Sequence, residues 1–116
     1  MAVPMLSLCD RGGQQMCVFC DVPDDKKVQE NELFFAIYDS RPVSRGHILI
    51  ISKRHVESFF DLTGEEVMSL LEMSNTCHSM LEDKFGPTGY NIAINYGRSA
   101  GQTIFHFHLH IIPRYG

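Results

Sequence analysis

The chain has no apolar run of 18 residues, so no transmembrane helix is expected. It has no basic excess either: 10 Lys and Arg against 14 Asp and Glu leave a formal net charge of −4. A surface of that sign attracts neither nucleic acid nor an anionic membrane, and any phosphate it binds must be caught by local dipoles. The start, Met1-Ala2-Val3-Pro4-Met5-Leu6, lacks the basic flank and long apolar core of an export signal, so a cytoplasmic location is expected. There is no internal repeat, no low-complexity tract, no Walker-type loop and no acidic cluster suited to magnesium. What remains is an ordinary globule of 116 residues, 44% apolar and 21% charged, long enough for one domain with a small core.

Residues 1–15 carry Gly12-Gly13 and no periodicity, and they read as a mobile tail before a folded domain over residues 16–116. A short strand is expected within Lys27–Asn31, followed by a turn at Asn31-Glu32 and an apolar strand over Leu33–Tyr38. Asp39 to Gly46 is turn chemistry, and His47-Ile48-Leu49-Ile50-Ile51-Ser52 is a β-branched run suited to a central strand. Thr63 and Glu66 have capping-box spacing, and Gly86-Pro87 stops whatever helix begins there. The helix is therefore placed at Gly64–Phe85, with Val67, Leu70, Leu71, Ser74, Leu81 and Phe85 on its amphipathic face and His78 at the surface or flank. Gly89–Asn95 alternates as a further strand. Strands, one long helix, then strands imply an α+β fold with an antiparallel sheet.

The chemistry gathers near the C-terminus. In Phe105-His106-Phe107-His108-Leu109-His110-Ile111, histidines fall at every second position and apolar residues between them. A period of two places alternate side chains on one face of a strand. His106, His108 and His110 should share a face, with Phe105, Phe107, Leu109 and Ile111 in the core. Three readings are open: nucleophilic catalysis at phosphorus, a metal site, or a polar surface stripe. Two residues advance a strand by ~6.5–7 Å, so three alternating histidines span more than ~13 Å, too far to chelate one ion together. Neutral imidazole is a good nucleophile near neutral pH. Gln102, Thr103 and the amides of the turn at residues 96–102 could donate to phosphoryl oxygens. Cys17-x-x-Cys20 is half of a metal site or a redox pair, and needs two further ligands to hold a structural ion.

The run His106-Phe107-His108-Leu109-His110-Ile111-Ile112 resembles the signature of the histidine triad (HIT) family. Gly101-Gln102-Thr103 before it, and Gly46-His47 through Lys53-Arg54-His55 upstream, are similar to the same family, and the resemblance covers about residues 16–115. It implies the HIT-like fold, an antiparallel sheet with one long helix, paired into a homodimer with a continuous sheet. It also implies a nucleotide hydrolase or nucleotidyl transferase acting on purine nucleotides, either phosphoramidates of AMP or dinucleoside polyphosphates. By motif position His108 is the nucleophile, His106 and His110 orient it and contact the phosphate or leaving group, and His47 completes the network. Asn95, Gln102 and Thr103 match phosphate-binding positions, Asp39 the ribose partner, and Phe19, Val22 and Ile37 the apolar slot for the base. Relatives with the two cysteines carry a structural zinc, whose ligands here would be Cys17, Cys20, His55 and His106; the chemistry itself would need no metal. With zinc bound, His106 would be structural. Two competing classes are a nucleotide-binding adaptor with incidental hydrolysis and a metal-dependent hydrolase. The related galactose-1-phosphate uridylyltransferases have glutamine where His110 stands, which disfavours that branch.

Overall fold

The computed structural model of the chain describes residues 17–116; the tail expected over residues 1–15 lies outside them. Among the described residues, five strands and one long helix follow in the expected order. They are β1 (Gln29–Glu30), β2 (Phe34–Tyr38), β3 (Ile48–Ser52), α1 (Gly64–Phe85), β4 (Gly89–Ile94) and β5 (His108–Arg114). The sheet is antiparallel throughout, in the order β1-β2-β3-β5-β4. The histidine strand β5 is therefore interior, and β4 forms an edge.

Local chemistry sets the turns. Asn31 Oδ1 accepts from the amides of Leu33 and Phe34 at 3.1 and 2.8 Å, which reverses the chain between β1 and β2. Helix α1 starts at the capping box: Thr63 Oγ1 accepts from Glu66 N–H, and the Glu66 carboxylate accepts from Thr63 N–H. It ends on Gly86 in the left-handed conformation, whose amide closes on Leu81 and Glu82 carbonyls.

The sheet has two different faces. Phe34, Ala36, Ile48, Ile50, Leu109 and Ile111 pack against Leu70, Met73, Cys77 and Leu81 of α1. Phe35, Leu49 and Ile51 point the other way and pack with Phe19. The buried stripe of α1 is Glu66, Ser69, Leu70, Met73, Cys77 and Leu81, rotated from the expected one. Val67 and Leu71 are 38% and 55% exposed, and His78 is on the surface. Ser69 fits inside because its hydroxyl donates to Asn31 Oδ1. Glu66 fits because Arg54 donates to both its carboxylate oxygens, at 2.9 and 2.8 Å. That guanidinium holds the Glu66 carboxyl below its ordinary pKa despite burial. Burial in α1 pushes the Cys77 thiol up to about 12, leaving it protonated and unreactive.

The ladder of β5 begins at His108, later than the alternation suggests. The preceding segment leaves the sheet to meet the loop after β3, where Phe107 N–H donates to Val56 O at 2.6 Å. Phe107 is buried as expected. Phe105, ahead of the ladder, is 38% exposed and does not enter the core.

Candidate active site and metal-ligand cluster

The sheet face opposite α1 carries a cleft of about 940 Å³. His108 and His110 of β5 line it, with Asn95 after β4, Thr103 in the turn before β5, and Asp39 after β2. Phe19, Val22 and Ile37 contribute apolar wall to the same cleft. Eight of the eleven residues singled out for nucleotide binding or catalysis thus converge from five parts of the chain. Lys26 and Arg41 also line the cleft, two cations to which no sequence motif pointed.

His106, His47 and Gln102 do not line it. His106 is fully buried and His47 lies behind His110. Gln102 is 3% exposed and its amide is used internally: Oε1 accepts from Gly97 N–H, while Nε2 donates to the Glu57 and Ile104 carbonyls. Gln102 therefore shapes the turn before β5 instead of lining the cleft, because both its amide hydrogens and its oxygen are engaged by backbone.

Hydrogen-bond partners assign the proton on each imidazole. His47 Nδ1 accepts from Val43 N–H at 3.1 Å, so the ring proton sits on Nε2. That Nε2–H faces two acceptors, His110 Nδ1 at 3.0 Å and Asp39 Oδ2 at 3.5 Å. With its Nδ1 accepting, neutral His110 carries its proton on Nε2. His108 Nδ1 lies 2.7 Å from the His106 carbonyl and must donate to it, which leaves the Nε2 lone pair unprotonated. Burial lowers the pKa of His47, His108 and His110 alike, favouring the neutral forms these bonds require. The site thus presents one basic nitrogen and one N–H donor on neighbouring rings, 5.1 Å apart between centroids.

A second cluster lies beside the first. Cys17 and Cys20 bracket a tight turn, closed by Cys20 N–H on Cys17 O. Their sulfurs lie 3.1–3.5 Å from Nδ1 of His55 and His106, and the four ligand atoms fall within 4.8 Å of one another. His106 Nε2 donates to the Ser52 carbonyl at 2.7 Å, so its Nδ1 lone pair faces the sulfurs. A carbonyl acceptor behind the ring is the usual support of a metal-ligating histidine. Burial pushes the His106 pKa down to about 4, which keeps it unprotonated for that role. These four residues could hold a metal ion. A metal would take Cys17 and Cys20 as thiolates. Phe19, inside the Cys17–Cys20 turn, packs edge-on against His106 and His108, with centroids 6.0 and 5.0 Å away.

Asp39, His47 and His110 also bring three ligand atoms within 4.8 Å. Their hydrogen bonding argues against a metal there. Ligation through His47 Nε2 would move the ring proton to Nδ1, against the Val43 N–H donor. That cluster is built as a proton chain.

A helix-backed antiparallel sheet, with imidazoles of opposite proton state along one interior strand, defines a class of α+β domain built for histidine chemistry in an open cleft. The model of the HIT domain family matches residues 21–116. The chain belongs to the HIT domain family. It is 39% identical over 105 residues to the protein hit of Bacillus subtilis, covering 86% of this chain and 72% of that one. It is 43% identical over 83 residues to a bis(5'-adenosyl)-triphosphatase of Dictyostelium discoideum, covering 72% of this chain and 56% of the relative. The crystal structure of a Zn-bound histidine triad family protein from Mycobacterium smegmatis superposes with a TM-score of 0.76 at 38% identity, covering 86% of this chain and 76% of that one.

Proposed function

We propose that this chain hydrolyses purine nucleoside phosphoramidates or dinucleoside polyphosphates through a nucleotidyl-histidine intermediate on His108. The observation that carries the reading is the pairing of proton states: an unprotonated His108 Nε2 beside a protonated His110 Nε2. The base occupies the slot of Phe19, Val22 and Ile37, and Asp39 accepts from the ribose hydroxyls. Asn95, Thr103 and turn amides hold the α-phosphate. His108 Nε2 forms a bond to the α-phosphorus, while the bond to the leaving nitrogen or oxygen breaks with its electron pair. The leaving atom accepts a hydrogen bond from His110 Nε2–H and takes its proton from solvent. Water then attacks phosphorus and loses a proton to solvent, and the phosphorus–nitrogen bond to His108 breaks. The products are the nucleoside monophosphate and the protonated leaving group. The His106 carbonyl, bonded to His108 Nδ1–H, stabilises the positive charge that develops on the attacking ring.

A panel contrasting an AMP phosphoramidate with diadenosine polyphosphates tests this. Robust turnover of at least one class is expected; tight AMP binding with negligible turnover of both would convert the chain to a nucleotide-binding adaptor.

Zinc is the ion proposed for Cys17, Cys20, His55 and His106. A tetrahedral zinc with bonds of ~2.3 Å to sulfur and ~2.0–2.1 Å to nitrogen separates such ligands by about 3.5 Å, close to the spacing present. Bound there, zinc would fasten the Cys17–Cys20 turn to the strand carrying His108. None of its ligands lines the cleft, so its role is structural.

A homodimer with one continuous sheet is proposed as the working assembly. β4 is an edge strand whose Ile92 is 64% exposed on the side where Tyr90 and Ile94 meet α1, and Val67, Met68 and Leu71 of α1 are also exposed. An unprotected edge beside apolar side chains suits strand pairing with a second copy. Light scattering should give a dimer for the wild type and a monomer for Ile92→Lys; a dimer that survives this substitution would remove β4 from the interface.

A further inference from the structure

One backbone amide, working with the Asp39 carboxylate 3.5 Å from His47 Nε2, governs where the proton lies on His110. Val43 N–H fixes the His47 tautomer, and His47 fixes that of His110. Val43's own side chain contributes little to holding it there, since it is 58% exposed. The loop from Asp39 to His47 has anchors at its ends, where Asp39 Oδ1 accepts from Arg41 N–H and Ser44 O accepts from His47 N–H.

The remaining anchors come from outside the loop. Ser44 Oγ donates to the Pro113 carbonyl at the end of β5. The Tyr115 hydroxyl donates to the Arg45 carbonyl at 2.7 Å, and the Arg45 guanidinium lies 4.7 Å from the Tyr115 ring centroid and 5.9 Å from that of Phe85. Gly46, at φ +88°, runs so close to Phe85 that a Cβ would sit 3.0 Å from its ring. Three consecutive residues after Val43 are thus tied to the end of β5 or the end of α1.

We propose that Tyr115 and Ser44 act as a clasp that positions the Val43 amide, and through His47 sets His110 to present its N–H to the leaving group. Both are positioning residues, remote from the reacting atoms. When the clasp opens, the Val43 donor withdraws and His47 can carry its proton on Nδ1 instead. His47 Nε2 then offers a lone pair, His110 turns over to the Nδ1–H form, and its Nε2 faces the cleft without a proton. No proton enters or leaves in this exchange; two tautomers swap, and the site loses its donor.

The kinetic part of this inference rests on the hydrolase reading; the tautomer part does not. The test is the full chain carrying Tyr115→Phe with Ser44→Ala, which deletes two hydroxyls and leaves every ring and the backbone in place. Long-range ¹H–¹⁵N spectra of the imidazoles should show wild-type His47 as the Nε2–H form and the double variant as a mixture, with His108 unchanged. On an AMP phosphoramidate, kcat should fall about tenfold, a part of what a preorganised hydrogen-bond donor to the leaving group contributes, while KM stays within about twofold. The clasp is overturned by a double variant that keeps a single His47 tautomer, whether or not its melting temperature drops, or by unchanged kcat in an active enzyme. If the wild type turns nothing over, the hydrolase reading fails, and the ring-nitrogen spectra still decide the clasp.

Discussion

Replacing His108 with Asn is expected to lower turnover by roughly four orders of magnitude or more while leaving nucleotide affinity within several-fold. Loss of a catalytic nucleophile that forms the covalent intermediate has effects on that scale, because remaining groups cannot supply the new bond. Affinity should persist because Val22, Ile37, Asp39, Asn95 and Thr103 line the cleft independently of the ring, which touches the base slot only through Phe19. Asn is the informative substitute. Its side-chain amide can still donate to the His106 carbonyl, the one side-chain hydrogen bond of His108 among the described residues. Stability should therefore stay close to wild type, and lost activity cannot be blamed on lost fold. Stopped-flow or quench kinetics on the preferred substrate, with AMP binding by calorimetry and a melting curve on the same sample, give the three readouts. A His108→Asn protein with full activity would remove the nucleotidyl-histidine from the mechanism.

The second large effect concerns the metal cluster. Reduced protein purified gently is expected to hold one zinc per chain, and Cys17→Ala with His55→Ala to hold none. The double variant, or the wild type after chelation, should melt roughly 10 °C or more below the zinc-loaded protein. Losing such a site removes on the order of a few kcal/mol, and each kcal/mol is worth about 4–8 °C in a domain of this size. Binding should suffer with it, since Phe19 in the Cys17–Cys20 turn is both wall of the base slot and packing partner of His108. Metal analysis beside scanning calorimetry checks the claim. No zinc in the reduced wild type would remove the site; activity lost at temperatures where the chelated protein is still folded, with KM unchanged, would move the metal from structure into chemistry.

The helix could be read to the residue because its ends are local chemistry: a side-chain cap at Thr63 and a left-handed glycine at Gly86. Its buried face could not, since spacing ranks leucines first, whereas Ser69 and Glu66 are buried by partners far along the chain, Asn31 and Arg54. The same division holds for the site. His108, His110 and Asp39 were legible from motif position. Gln102 looked like a ligand residue, but its amide serves the backbone of its own turn. The control of His47 by Val43 left no trace in the sequence, because a main-chain N–H is common to every residue except proline. Side-chain identity announces chemistry; only the fold reveals which backbone groups steer it.

The alternation along β5 has a further consequence for how the chain chooses its own pairing. β5 is bordered on both sides, with Ile51 and Leu49 of β3 opposite His108 and His110, and Ala93 and Ile94 of β4 opposite His110 and Leu109. Sliding the strand by one residue would turn its imidazoles toward α1 and send Leu109 and Ile111 into the cleft. In that misaligned sheet the His108 and His110 rings would be stranded in hydrocarbon, His110 without the His47 Nε2–H that answers its Nδ1, each orphaned group costing on the order of 1–3 kcal/mol. The residues that would carry out the reaction are thus also the ones that make the wrong register intolerable, so substitutions that disarm the cleft with apolar side chains should loosen the alignment of the strand as well.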